Sequence, residues 1–217
     1  MARTTLVVAL AGAALFGSAI ALMVVGGEPV ETSAEPVAVT VAGHRLRLPR
    51  NVVRFAAQRG GEQVRLDLAL VWPELVGRGR GDADRFDVAE RPPDVLWATV
   101  TAAGDGLDSA ARLATIYGRF FEGEVRTGTD GLMVARMNAA SGYVGEEIHF
   151  EPGAVHPFVA RCYPLANGEP PSVCLHDEIV DGLRFDWRFP IERLADWRGL
   201  ASALPALAAR WRSDAGS

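Results

Sequence analysis

The polarity pattern along the chain changes twice. Residues Thr4 to Gly27, TTLVVALAGAALFGSAIALMVVGG, form one uncharged and mostly apolar run. Leu6 to Val25 meets the roughly 20 apolar residues that a helix needs to cross about 30 Å of hydrocarbon, so a transmembrane anchor is predicted within residues 1–27. Residues 28–36, EPVETSAEP, are acidic and contain prolines, and read as a linker. From 37 to 213 short alternating segments take over, as expected for one folded domain.

Val37–Val41 and His44–Leu48 alternate on either side of Ala42-Gly43, the pattern of a hairpin. Asn51 to Phe55 reads as a short strand. Val64, Leu66, Leu68, Leu70 and Trp72 alternate with Arg65, Asp67 and Ala69, which predicts a half-buried strand stopped by Pro73. Residues 76–93 read as a polar loop. Further strands are expected at 95–100, 132–137, 147–151, 158–163, 173–179 and 183–189. Leu107 to Glu122 places Ala110, Leu113, Ala114, Tyr117, Phe120 and Phe121 on one helical face, with Gly123 where a C-terminal cap belongs. A second helix starts at Pro190 and carries Ile191, Leu194, Trp197, Ala201, Leu204, Ala208 and Trp211, with Pro205 expected to kink or restart it. Strands and helices that do not alternate strictly predict an α+β fold. Its sheet is mostly antiparallel, its two main helices cover one face, and one N-terminal transmembrane helix precedes it.

Charge orients the span. Arg3 precedes it, while Glu28, Glu31 and Glu35 follow. The positive-inside bias puts the N-terminus in the cytoplasm and the domain in the periplasm. The expectation is a single-pass inner-membrane protein that contacts the membrane through residues 5–25. The alternative is a cleaved, secreted periplasmic protein. Ala19-Ile20-Ala21 and Thr32-Ser33-Ala34 are its small-residue cleavage sites, and a cleaved signal has a shorter apolar core than this run.

Composition narrows the chemistry. Every basic residue other than histidine is arginine, so Schiff-base lysines, Ser-x-x-Lys acylases and P-loop nucleotide binding are excluded. A net charge of −5 argues against generic nucleic-acid binding. In an oxidising compartment the two cysteines, Cys162 and Cys174, read as a disulfide across the turn-rich YPLANGEPPSV. There is no Gly-x-Ser-x-Gly elbow and no His-Glu-x-x-His helix. No motif implies a cofactor or a metal.

Two groups of residues remain. A hairpin closed by Pro152-Gly153 would set His149 opposite His156, about 5 Å apart at Cβ, and His176 sits beside two carboxylates in Cys174-Leu175-His176-Asp177-Glu178. Arg45, Arg47, Arg50 and Arg54 lie close together with Arg59 and Arg65, near the membrane end of the domain. They suit an anionic surface, such as lipid head groups or an acidic envelope polymer, or else internal pairing with the acidic segment Asp82 to Asp94.

The stretch Asn51 to Trp72, with its Arg-Phe and Leu-Asp-Leu segments, together with Arg161-Cys162, Cys174 and Leu194-Ala195-Asp196-Trp197, resembles a group of uncharacterised single-span envelope proteins of alphaproteobacteria. The resemblance covers most of the chain from about Val37 and implies one span followed by one domain. It carries no activity. The functional expectation is a non-catalytic binding or scaffolding component of the cell envelope with an envelope protein as partner. The alternative is an envelope enzyme whose site is built from distant residues, with His149, His156 or His176 as acid–base groups.

Overall fold

Two hairpins with left-handed turns set the register of the domain. β1 (Pro36–Val41) and β2 (His44–Pro49) are joined by Ala42 and Gly43, whose φ angles are +50° and +78°. Positive φ at both positions is the primed turn whose twist matches that of the flanking strands. β3 (Gly61–Gln63) pairs parallel to β1 and completes a three-stranded sheet, β2-β1-β3. The larger sheet contains β4 (Leu66–Val71), β5 (Val95–Ala102), β6 (Phe121–Thr127), β7 (Met133–Met137), β8 (Glu147–Phe150), β9 (Val159–Tyr163), β10 (Val173–Val180) and β11 (Leu183–Pro190). Its order is β4-β5-β11-β10-β9-β8-β7-β6, and every neighbouring pair is antiparallel. Asp181 and Gly182, at φ +47° and +79°, close the β10–β11 hairpin by the same device.

This computed structural model describes residues 30–82, 84–86, 94–163 and 172–213. The predicted membrane span lies outside the described residues. Thr32–Ser217 forms one compact unit. Within it the carbonyls of Ser33 and Glu35 accept from the amides of Asn51 and Arg50, so the segment before β1 is tied to the domain. Among the described residues no helix is long and apolar enough to cross a membrane.

The fold is α+β with a mostly antiparallel sheet and two helices, α1 (Ser109–Thr115) and α2 (Trp197–Ser213). Alternation along the strands sends one set of side chains to the main core. Leu66, Leu68 and Leu70 of β4 join Phe185, Trp187 and Phe189 of β11 there. The small sheet adds Val39, Val41, Leu46 and Leu48, and α2 adds Trp197, Leu200, Leu204 and Trp211. Each such side chain taken wholly out of water contributes about 1.5–3 kcal/mol.

Several expectations are corrected. Asn51–Phe55 is not a strand: a 3-10 turn, Arg50–Val52, leads to a single bridge between Val53 and Leu68. β4 is buried on both faces, because Ala69 and Val71 pack with Phe86 and Val95. The helix predicted over 107–122 stops at Thr115. A 3-10 turn, Tyr117–Arg119, follows, and Phe121 already belongs to edge strand β6. Gly123, at φ +70°, lies in β6 where its pairing with β7 shifts register, and it caps nothing. The closing helix begins as a 3-10 segment, Ile191–Asp196, and α2 then runs through Pro205 without interruption. The two helices cover opposite faces. α2 lies on the main core, whereas α1 and its following turn pack on Val159, Ile148 and Met137 on the other side.

Cys162 and Cys174 are direct cross-strand partners on β9 and β10, fully buried and joined as a disulfide with Cα atoms 4.0 Å apart. The bond closes a loop of sequence separation 12. In the chain-entropy account it stabilises the fold by about 3 kcal/mol. The unreduced protein should therefore take up no thiol reagent. Cys162→Ser/Cys174→Ser should lower the unfolding free energy by about that amount in urea titration, and labelling of the native thiols would refute the bridge.

Candidate functional site

Among the described residues, the face of the large sheet opposite the main core carries apolar clusters at its two ends. At one end Phe86 and Trp97 pack with Ala69, Val71 and Val95. At the other, Tyr117 and the residues after α1 pack on β7, β8 and β9. Between these clusters β5, β11 and β10 present a partly buried polar strip, with Arg188 exposed on it. The alternation that buries Phe185, Trp187 and Phe189 turns Arg184, Asp186 and Arg188 outward, beside Thr99 and Thr101 of β5 and Leu175 and Asp177 of β10. The result is a trough with a charged floor and two apolar walls.

One wall is pinned by a carboxylate. Asp177, 5% exposed, pairs with Arg112 of α1 and Arg184 of β11. Ser109, in the first turn of α1, donates to Asp177 Oδ1 at 2.6 Å and accepts from the Asp177 amide at 3.0 Å. Asp186 is half-buried on the trough floor. Burial pushes its carboxyl up, against the opposing charges of Arg184, Arg112, Arg188 and Arg65. A cavity of about 80 Å³ lies beside it, lined by Arg161, Leu175 and Arg112 among others.

The other wall carries arginine. Burial pushes the Asp67 carboxyl up, but hydrogen bonds from Arg65, Gln58 and Thr99 together with the Arg65 charge outweigh this and hold it below its ordinary range. Arg54 lies 4.5 Å over the ring of Trp97. Burial lowers the Arg54 guanidinium, Asp67 opposes this, and Arg188, Arg78 and Arg65 lower it further.

A second concavity of about 280 Å³ opens where two strands part. The β9–β10 ladder ends at Leu175 and Arg161. Beyond it His176 Nδ1 donates to the Val159 carbonyl at 2.8 Å, which fixes the tautomer, and Ser109 takes the amide of Asp177. Phe158 stacks on His176 at 4.8 Å. Glu178, two residues on, accepts from Trp187 Nε1 at 3.0 Å. Burial pushes the Glu178 carboxyl up to about 7 and His176 down to about 4. Glu151, His156, Ala201 and Pro205 complete the lining.

The predicted residues are distributed as follows. His149 and His156 do not face each other. β8 ends at Phe150, the turn at Pro152-Gly153 belongs to a longer loop closed between Glu151 and Phe158, and His149 pairs with Ala160. His149 is buried on the core side of β8, lowered by burial, with Nε2 3.5 Å from Glu147 Oε2. His156 is exposed and lies with His176 on the strand-split cleft. Arg45 and Arg47 are exposed on β2, where the Arg45 carbonyl accepts from Arg212, and Arg50 opens the 3-10 turn. Of Arg45, Arg47, Arg50 and Arg54, among the described residues, Arg54 reaches the trough, where it lies over Trp97. Sequence reasoning passed over Arg78, Trp97, Arg188 and Asp186. The alternation Arg184-x-Asp186-x-Arg188 was the available signal for the last two.

No family model matches the chain, and no curated protein matches it. Two solved structures share the fold. The immunity protein Smlt3025 of the Stenotrophomonas maltophilia type IV secretion system superposes with a TM-score of 0.57 at 15% identity, over 83% of this chain and 94% of that one. The Neisseria meningitidis iron-regulated outer membrane lipoprotein FrpD superposes with a TM-score of 0.51 at 11% identity, over 86% of this chain and 97% of that one. At these identities the likeness is one of fold.

Proposed function

We propose that this chain is a non-catalytic binding domain of the cell envelope that docks a protein partner in the trough of its large sheet. It is held at the inner membrane by residues 5–25, with the domain in the periplasm. The trough carries the reading. A sheet face that is partly open among the described residues between two apolar clusters, holding Trp97, Leu175 and the exposed Arg188, suits a macromolecular surface rather than a small ligand. The disulfide supports an oxidising compartment. The shared fold of an immunity protein and an outer membrane lipoprotein supports an envelope role.

The test is capture of the full-length chain from its own membranes after light crosslinking, read by mass spectrometry. One stoichiometric envelope protein is expected, with crosslinks mapping to β5, β10 and β11. Crosslinks confined to other surfaces, or no partner, would refute the reading.

The strand-split cleft favours a second reading, an envelope enzyme with Glu178 and His176 as acid–base groups. Both side chains are held by structural hydrogen bonds, from Trp187 and to Val159, which ranks this reading behind the first.

A further inference from the structure

Three guanidinium groups gather on one small apolar cluster of the open face. Arg54 lies over Trp97 at 4.5 Å and beside Phe55 at 5.0 Å. Arg78 lies 5.2 Å over Phe86, which belongs to the cluster that Trp97 packs against. Arg188 is the cross-strand partner of Trp97 and is exposed. Aromatic faces hold two of these cations in place but do not neutralise them. Their mutual repulsion is felt at Arg54, which burial, Arg188, Arg78 and Arg65 all disfavour in its charged form. Arg78 Nε is buried without a hydrogen-bond partner among the described residues.

Among the described residues Asp186 on the trough floor faces Arg188 together with Arg184 and Arg112, and the other nearby acids are engaged elsewhere. Asp67 is held by Arg65, Gln58 and Thr99. Asp82 accepts from the amide of Gly79, and Asp94 pairs with Arg85. Among the described residues no carboxylate forms an ion pair with Arg54, Arg78 or Arg188. This concentration of positive charge stands in a chain whose net charge is −5.

We infer that Arg54, Arg78 and Arg188 form a receiving site for the carboxylates of an acidic polypeptide segment of the partner, laid along the trough beside Trp97. The inference rests on the binding-domain reading above. The planar fork of arginine matches a carboxylate with two parallel hydrogen bonds, and stacking on a ring face does not use the N–H groups at the edge of the Arg54 and Arg78 forks. Arg54 and Arg78 are half-buried. An extended chain can enter between the walls to meet them, whereas a flat lipid surface suits protruding side chains such as Arg45 and Arg47.

The experiment is a fluorescence-anisotropy titration of a labelled peptide of alternating glutamate and glycine with the full-length chain in a non-ionic detergent. Saturable binding that weakens with salt is expected. Arg54→Gln/Arg188→Glu should weaken it by about tenfold or more, as expected for loss of charge-assisted contacts. Arg45→Gln/Arg47→Gln should leave it unchanged. Arg188→Glu alone, at an exposed position, serves where the double variant does not fold. The site is refuted if the wild-type chain does not bind the peptide, or if all variants bind equally. It is refuted too if phosphatidylglycerol vesicles require Arg54 and Arg188 while the peptide does not. Retention of the crosslinked partner by Arg188→Glu overturns the site and leaves the binding-domain reading intact. Arginine-dependent peptide binding with no partner captured does the reverse.

Discussion

Glu178→Gln should raise the stability of the folded domain at pH 8 by roughly 3 kcal/mol. The folded carboxyl titrates at about 7, pushed up by burial from 4.5, with the Trp187 hydrogen bond opposing. The unfolded chain therefore releases this proton first. Stability is lost as pH rises from the unfolded value to the folded one, and above that the full penalty is in place. Glutamine keeps an acceptor for Trp187 Nε1 and carries no charge. His176 has the opposite sign. Burial lowers it from 6.5 to about 4, with the Val159 carbonyl opposing. Its contribution is complete above the unfolded value and is lost as pH falls towards 4.

Between about pH 4.5 and 6.5 the two slopes cancel. The folded pair holds one proton as neutral Glu178 and neutral His176. The unfolded pair also holds one, as glutamate and imidazolium. The wild-type chain should therefore show almost no pH dependence from these residues in that window, and the single variants expose it. Glu178→Gln should lose stability as pH falls through the window. His176→Asn, which keeps a donor near the Val159 carbonyl, should lose stability as pH rises. Urea titrations across pH 4 to 8, taken as variant minus wild type, isolate both effects. Superimposable profiles for wild type and Glu178→Gln would show that the cleft does not bury the carboxyl.

Much of the scaffold was legible because its information is local. Alternation located most of the strands, and Ala42-Gly43 marked the first hairpin. What failed depends on contacts distant in sequence. The run from Leu107 to Phe121 has a 3.6-residue pattern although it forms a short helix, a turn and a strand. All three fold onto one cluster with Met137, Ile148 and Val159, so helical spacing and shared burial look the same in sequence. Asp67 read as a solvent-facing position. It is 5% exposed because Thr99, from the neighbouring strand, and Gln58 satisfy it with Arg65. The histidine pairing failed at the turn, which closes at Glu151 and Phe158 rather than at the residues flanking Pro152-Gly153. The polar alternation of β11 was visible. That it floors a trough follows only once Phe86 and α1 come from elsewhere to build the walls.

Asp177→Ala should destabilise the domain by about 3–5 kcal/mol, the range for breaking a buried ion pair by removing one partner. The side chain is 6% exposed and meets two guanidiniums and a hydroxyl from two elements, α1 and β11. Arg112 keeps the Leu107 carbonyl at 2.6 Å and the Tyr117 hydroxyl at 3.1 Å, and Arg184 keeps the Leu107 carbonyl at 3.0 Å. Both are left with only the nearby charge of Asp186, and Ser109 loses the carboxylate acceptor while still accepting from the amide of residue 177. The loss should centre on α1, so hydrogen exchange at 109–116 should accelerate more than exchange in β4 or β5. A surface pair is the control. Arg198 and Asp130 are 62% and 50% exposed, and Asp130→Asn, which suits the left-handed backbone there (φ +50°), should change stability by no more than about 1 kcal/mol. Ser109→Ala tests the assignment further. Apart from its bond to the residue-177 amide it acts through the same carboxylate, so the double variant with Asp177→Ala should fall short of the sum of the single effects. Strict additivity, or an Asp177→Ala effect no larger than that of Asp130→Asn, would show that the carboxylate does not fasten α1 to the wall of the trough.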